Sequence, residues 1–140
     1  ARIGGQAIND NNALIEAAIN RPEPLAIAVS DETTDLTTGT AKATFRMPHA
    51  FTLTAVRASV TTAPTGSALI VDINESGATL MSTSKLSIDA GEKTSTTAAT
   101  AAGLTDTALA DDAEITIDID QVGSTVAGAG LKVYLIGNRT

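Results

Sequence analysis

The residues of this 140-residue chain best suited to chemistry are carboxylates, and they fall into three groups. Asp72, Asn74 and Ser76 alternate ahead of Gly77, the pattern that opens an EF-hand calcium loop, where oxygen ligands recur at alternate positions and glycine makes the sharp turn. The twelfth position of such a loop is Thr83 instead of a bidentate Glu, and no helical pattern flanks it, so a hairpin turn explains the same residues better. Asp111, Asp112 and Glu114 form the second group, and Asp118 and Asp120 the third. Paired carboxylates hold hard cations or, at suitable spacing, serve as glycosidase acid and base. Isoleucines at 115, 117 and 119 alternate with these residues, which is the pattern of a strand with one wet face. Asp is a poor strand former, so two in one strand also suit a cation or a neighbouring subunit.

The remaining candidates are weaker. His49 follows Pro48 in a bend between strand-like segments, and no Gly-x-Ser-x-Gly motif supplies a nucleophile for it, so it reads as a hydrogen-bonded turn residue. The run from Gly123 to Gly130 lacks the Lys and the strand-helix context of a phosphate-binding loop and reads as a flexible connection. With no Cys and one His, thiolate chemistry, disulfides and multi-His metal sites are excluded. No catalytic, cofactor-binding or metal-ligating set is expected, and the chain reads as a non-enzyme. A net charge of −7 with nine scattered basic residues argues against nucleic acid. No run approaches the roughly 20 apolar residues of a membrane span, and Ala1 to Gly5 lacks the apolar stretch of a signal peptide, so neither membrane insertion nor an export signal is expected.

The elements around these residues divide the chain in two. Residues 1–24 form an arm: Asn9, Asp10, Asn11 and Asn12 offer helix caps, and Leu14, Ile15, Ala18 and Ile19 share one helical face. A helix this short is marginal alone and needs a partner surface. Ile3, Ile8, Leu14, Ile15 and Ile19 are the residues that would anchor the arm to a capsid or join copies of the chain. Pro22 and Pro24 end the helix and make a stiff linker.

From residue 25 to 140 the period becomes two, with β-branched residues and turns about every ten residues. Strands are expected at 25–29, 40–47, 51–60, 68–73, 78–81, 85–88, near 94–98, at 114–120 and at 131–136. Eight or nine such strands define an all-β, antiparallel β-sandwich, and a jelly roll fits the count best. Its core is expected to include Ile27, Phe45, Leu53, Val56, Leu69, Val71, Ile73, Ile115, Ile117, Ile119, Val133 and Leu135. The Thr- and Ala-rich stretch 94–102 suits either a loop or a strand buried against another subunit.

Ala and Thr together make up 47 of the 140 residues, and aromatic residues only 2%. A buried Ala contributes far less than the roughly 1.5–3 kcal/mol of a buried Leu or Phe, so subunit contacts are expected to supply burial that a single copy lacks.

The run from Ser30 to Pro48, with Ser30-Asp31-Glu32-Thr33-Thr34-Asp35-Leu36 leading into Thr40-Ala41-Lys42-Ala43-Thr44-Phe45-Arg46-Met47-Pro48, resembles small β-domains of tailed-bacteriophage virion proteins. The likeness continues through 51–59, 61–67, 71–75, 110–115 and 118–124, covering about residues 25–137. The resemblance implies a jelly-roll-like domain, a homotrimer, and a place on the virion as a capsid decoration, head spike or fibre subunit. Partners would be further copies of the chain and the capsid or other virion proteins. It carries no catalytic residues. Only a short arm precedes residue 25, which favours a head decoration or spike over a full-length tail fibre. A carbohydrate- or receptor-binding module of a fibre is the alternative, with a host-surface glycan as ligand. Against it, Phe45, Phe51 and Tyr134 all fall in strands, leaving few aromatic platforms for a sugar.

Overall fold

The computed structural model describes residues 10–16 and 21–140. Nine strands follow in chain order: β1 (Glu23–Ala28), β2 (Gly39–Arg46), β3 (Phe51–Ser59), β4 (Leu69–Glu75), β5 (Ala78–Thr79), β6 (Leu86–Ile88), β7 (Ala108–Leu109), β8 (Glu114–Gln121) and β9 (Lys132–Arg139). One sheet has the order β1-β9-β3-β7 and the other β2-β8-β4-β5, with β6 also on β4. All the pairings are antiparallel. They nest: β1 pairs β9, β2 pairs β8, β3 pairs β7, and β4 pairs both β5 and β6. A long hairpin folded over on itself gives this pattern, and it is the jelly-roll arrangement of two four-stranded layers, with β5 and β6 as two pieces of one edge strand.

Alternation decides which side chains enter the core. In β8 the exposure alternates so that Ile115, Ile117 and Ile119 are buried, and in β9 Val133 and Leu135 are buried the same way. Leu69, Val71 and Ile73 of β4 join the β8 isoleucines on the inner face of the second sheet, and Leu53 and Val56 of β3 join Val133 and Leu135 on the inner face of the first. Ile27 and Phe45 lie half-buried at the margin of this cluster because their strands, β1 and β2, are sheet edges. Side chains outside the regular alternation complete the core: Leu36, Met47, Leu80, Met81 and Leu131 are all buried. Each contributes on the order of 1.5–3 kcal/mol in place of the missing aromatics.

Several local features differ from the sequence reading. β1 starts at Glu23, so Pro24 belongs to a strand instead of the linker. It sits on an edge, where a missing N–H disrupts no ladder. The expected strand near 94–98 is a single 3-10 turn, Ser95–Thr97, because the Thr94 hydroxyl accepts the Thr96 N–H and caps it. Leu80 and Met81 leave the β5 ladder after Thr79 and plunge into the core.

The connection 123–130 is tied down instead of loose. Thr65 N–H donates to Val126 O at 2.9 Å, Thr125 N–H donates to Thr65 O at 3.0 Å, and Thr62 and Ala129 bridge. A Cβ on Gly123 would lie 1.9 Å from Val126 O and 2.8 Å from Thr65 N, so glycine is needed there for close backbone approach. Gly123→Ala is therefore expected to destabilise the domain by about 1–3 kcal/mol, read as a lower urea midpoint with unchanged slope.

Candidate functional site

Asp72 and Asn74 do not lie in a turn. They stand on β4 with their side chains on the outward face of the second sheet, and each is only 8% exposed. Ser76 and Gly77 alone form the two-residue hairpin loop to β5, with φ of 49° and 86°. Positive φ at both central residues is the type I′ geometry that Gly favours in hairpins.

β8 runs beside β4 and sets Asp118 directly opposite Asp72. The Asn74 amide donates to Asp118 Oδ2 at 3.1 Å, and Ala41 N–H donates to Asp118 Oδ1 at 2.7 Å. Ala41 has a φ of 50° within the irregular part of β2, so Asp118 fastens a bulged edge strand to its neighbour. Asp72 takes the Thr79 hydroxyl on Oδ1, and on Oδ2 the Lys85 ammonium at 3.1 Å. Lys85 also donates to Thr79 Oγ1 at 2.8 Å. Thr79 and Lys85 arrive from β5 and the segment before β6, at the far edge of β4.

The carboxylate oxygens nearest one another are thus already occupied by protein donors. Among the described residues no group of three or more potential ligands is placed to hold a metal ion. Addition of EDTA is expected to leave the melting temperature unchanged; a fall of several degrees restored by calcium would contradict this assignment of the oxygens.

Asp120 stands at the irregularity between β8 and β4. Burial holds its carboxyl above the usual carboxylate range, the negative charges of Asp72 and Asp118 push in the same direction, and Lys85 opposes them. A carboxyl that binds its proton more tightly when folded adds stability below its unfolded pKa and loses that contribution as pH rises through the folded value. Asp120→Asn is therefore expected to raise the melting temperature at pH 7, with the gain shrinking as pH falls through the folded value and gone below about pH 4. Thermal scans across that interval check it.

The other acidic group is separate. Asp111 and Asp112 occupy the turn before β8, where Asp112 O accepts from Arg46 at 3.1 Å, and Glu114 lies 3.8 Å from Arg46 on the surface. Such an exposed pair contributes at most about 1 kcal/mol. His49 is half-buried in its bend, with Nδ1 3.1 Å from Ala50 O and its ring tilted against Phe51 at 5.8 Å.

Of the five arm residues, Leu14 and Ile15 lie in a helical stretch, residues 10–16, and are 70% and 55% exposed. Ile3, Ile8 and Ile19 lie outside the described residues.

A surface feature on the opposite sheet escapes the sequence patterns. β3 and β9 set Arg57 beside Tyr134 and Ser59 beside Lys132 on the outward face of the first sheet. The 94–104 connection folds over β3 there, with Ala58 N–H donating to Ser95 Oγ at 2.9 Å. Two adjoining hollows result, both lined by Arg57 and Thr96. The larger, about 460 Å³, opens at the edge of the sandwich beside β3, where Val56 of the first sheet and Leu86 of the second meet Ala55, Ala101, Ala102 and Leu104. The smaller, about 240 Å³, lies among Pro24, Ser59, Tyr134 and Ile136. Alternation marks Arg57 and Tyr134 as outward residues, but only the β3–β9 pairing brings them together.

Comparison of the chain with protein-family models, curated proteins and solved structures finds no match.

Proposed function

We propose that the chain is a structural virion protein of a tailed phage, a homo-oligomer, as a trimer, that decorates the capsid or forms a head spike or fibre subunit. The observation that carries this reading is an arm that presents Leu14 and Ile15 to solvent ahead of a jelly-roll sandwich. An apolar stripe at those exposures gains stability only by meeting another surface. Jelly rolls recur in capsid and lectin domains, which is support by fold analogy alone. The resemblance of residues 25–137 to phage virion β-domains narrows the choice between these.

On this reading the polar network on the second sheet is a structural device. Asp118 and Asp72 hold the edges β2 and β5 in place, and no catalytic residue is assigned. The experiment is co-sedimentation of the chain with purified phage particles, followed by quantitation against the major capsid protein. A fixed number of copies per particle in multiples of three is expected. Absence from the particle overturns the reading.

Binding of a host-surface glycan is the second reading, favoured by the small hollow where the Tyr134 ring, Pro24 and the hydroxyls of Ser59, Thr94 and Thr96 meet. Saturable binding of the isolated protein on a glycan array, abolished by Tyr134→Ala, would support it.

A further inference from the structure

We propose that the larger hollow, at the edge of the sandwich beside β3, is the seat of the arm of a second copy, with Leu14 and Ile15 filling it and Glu16 pairing with Arg57. This rests on the oligomeric reading above and names the surface through which it works.

The apolar side of the match is specific. Among the described residues the large hydrophobics left exposed are Leu14, Ile15 and Val126, and the first two are adjacent in the arm. The hollow offers Ala55, Ala101 and Ala102 as small walls over Val56, Leu86 and Leu104, so two aliphatic side chains enter without displacing a large one. At about 460 Å³ it has room for them.

The charged side agrees. Arg57 lines both hollows and has no ion-pair partner among the described residues, in a chain whose net charge is −7. Glu16 follows Ile15 directly and likewise has no ion-pair partner there. A carboxylate one residue from the apolar pair would reach a guanidinium at the rim of the hollow.

The arm's root lies near the hollow, yet its stripe does not fill it within one chain. Pro24, Ile136 and Ala55 follow one another across β1, β9 and β3, so the arm leaves the body two strands from the hollow, roughly 10 Å away. Within its own chain the stripe nonetheless stays 70% and 55% exposed. Docking of each arm on the next copy is a head-to-tail contact, which closes into a ring when the rotation permits.

The absence of cysteine gives a clean background for the test. The full chain carrying Leu14→Cys and Ala101→Cys is oxidised and run on a non-reducing gel. Cross-linked dimers and trimers that vanish on reduction are expected. A disulfide confined to single chains, or none at all, overturns the proposal. In parallel, Arg57→Glu and Glu16→Arg are each expected to raise the concentration at which the oligomer dissociates about tenfold, because every contact of a ring changes together. The double charge swap should restore most of the loss. An oligomer indifferent to both single variants overturns the docking and leaves the oligomeric reading standing, whereas a wild-type chain that is monomeric overturns that reading itself.

Discussion

Replacing Lys85 with Met is expected to destabilise the domain by about 2–3 kcal/mol at neutral pH, because it strips the cation from a carboxylate that is nearly buried. Asp72 would keep the Thr79 hydroxyl but would face Asp118 across the strands and Asp120 nearby with no compensating charge. The Lys85 end of the pair is partly exposed, which holds the expected cost below that of a fully enclosed pair. Asp72→Asn in the Lys85→Met background should recover most of the loss, since the amide keeps an acceptor for Thr79 and removes the charge. Urea denaturation of the four proteins of this cycle checks both statements. If Lys85→Met shifts the midpoint no further than a surface substitution would, the network holds no more than a solvated pair.

The second large effect concerns the arm. Deletion of residues 1–22 is expected to abolish self-association while leaving the sandwich folded. The cut keeps Glu23, whose carboxylate receives Arg139 Nε at 2.9 Å and pins the start of β1 to the end of β9. Every member of the hydrophobic core comes from Leu25 onward, so the truncated chain loses none of it. Circular dichroism should retain its β signature and a cooperative melt, while sedimentation reports a single copy. A truncated chain that still assembles places the subunit contacts on the sandwich itself.

How far the sequence foretold this molecule varies with how local each feature is. Alternation located β3, β4, β8 and β9, because a strand with one wet face writes its geometry directly into the order of residues. Ten of the expected core residues are buried, and Ile27 and Phe45 fall short only because edge strands leave one flank open. Asp72 and Asn74 read as part of a hairpin turn, and they stand instead on the strand that leads into it. Their turn-like residue types reflect side-chain partners, and those partners, Thr79, Lys85 and Asp118, come from other segments of the chain. The nested strand order and the hollow at Arg57 depend on pairing between segments far apart in the chain, and local periodicity carries no trace of that. The glycines at 123–130 suggested looseness, whereas Gly123 is there because two backbones touch.

The richness in Ala follows the same physics. Ala55, Ala101 and Ala102 line a hollow that larger side chains would fill, and the exposed Leu14 and Ile15 match the space they leave. A core short of aromatics and a surface with a complementary hollow and stripe are two sides of one expectation, that copies of this chain complete one another.

Sedimentation equilibrium of the intact chain over a wide concentration range tests that expectation most directly. A species of three times the 14.1 kDa chain mass, persisting on dilution into the micromolar range, is expected. A single-copy mass at every concentration would contradict it.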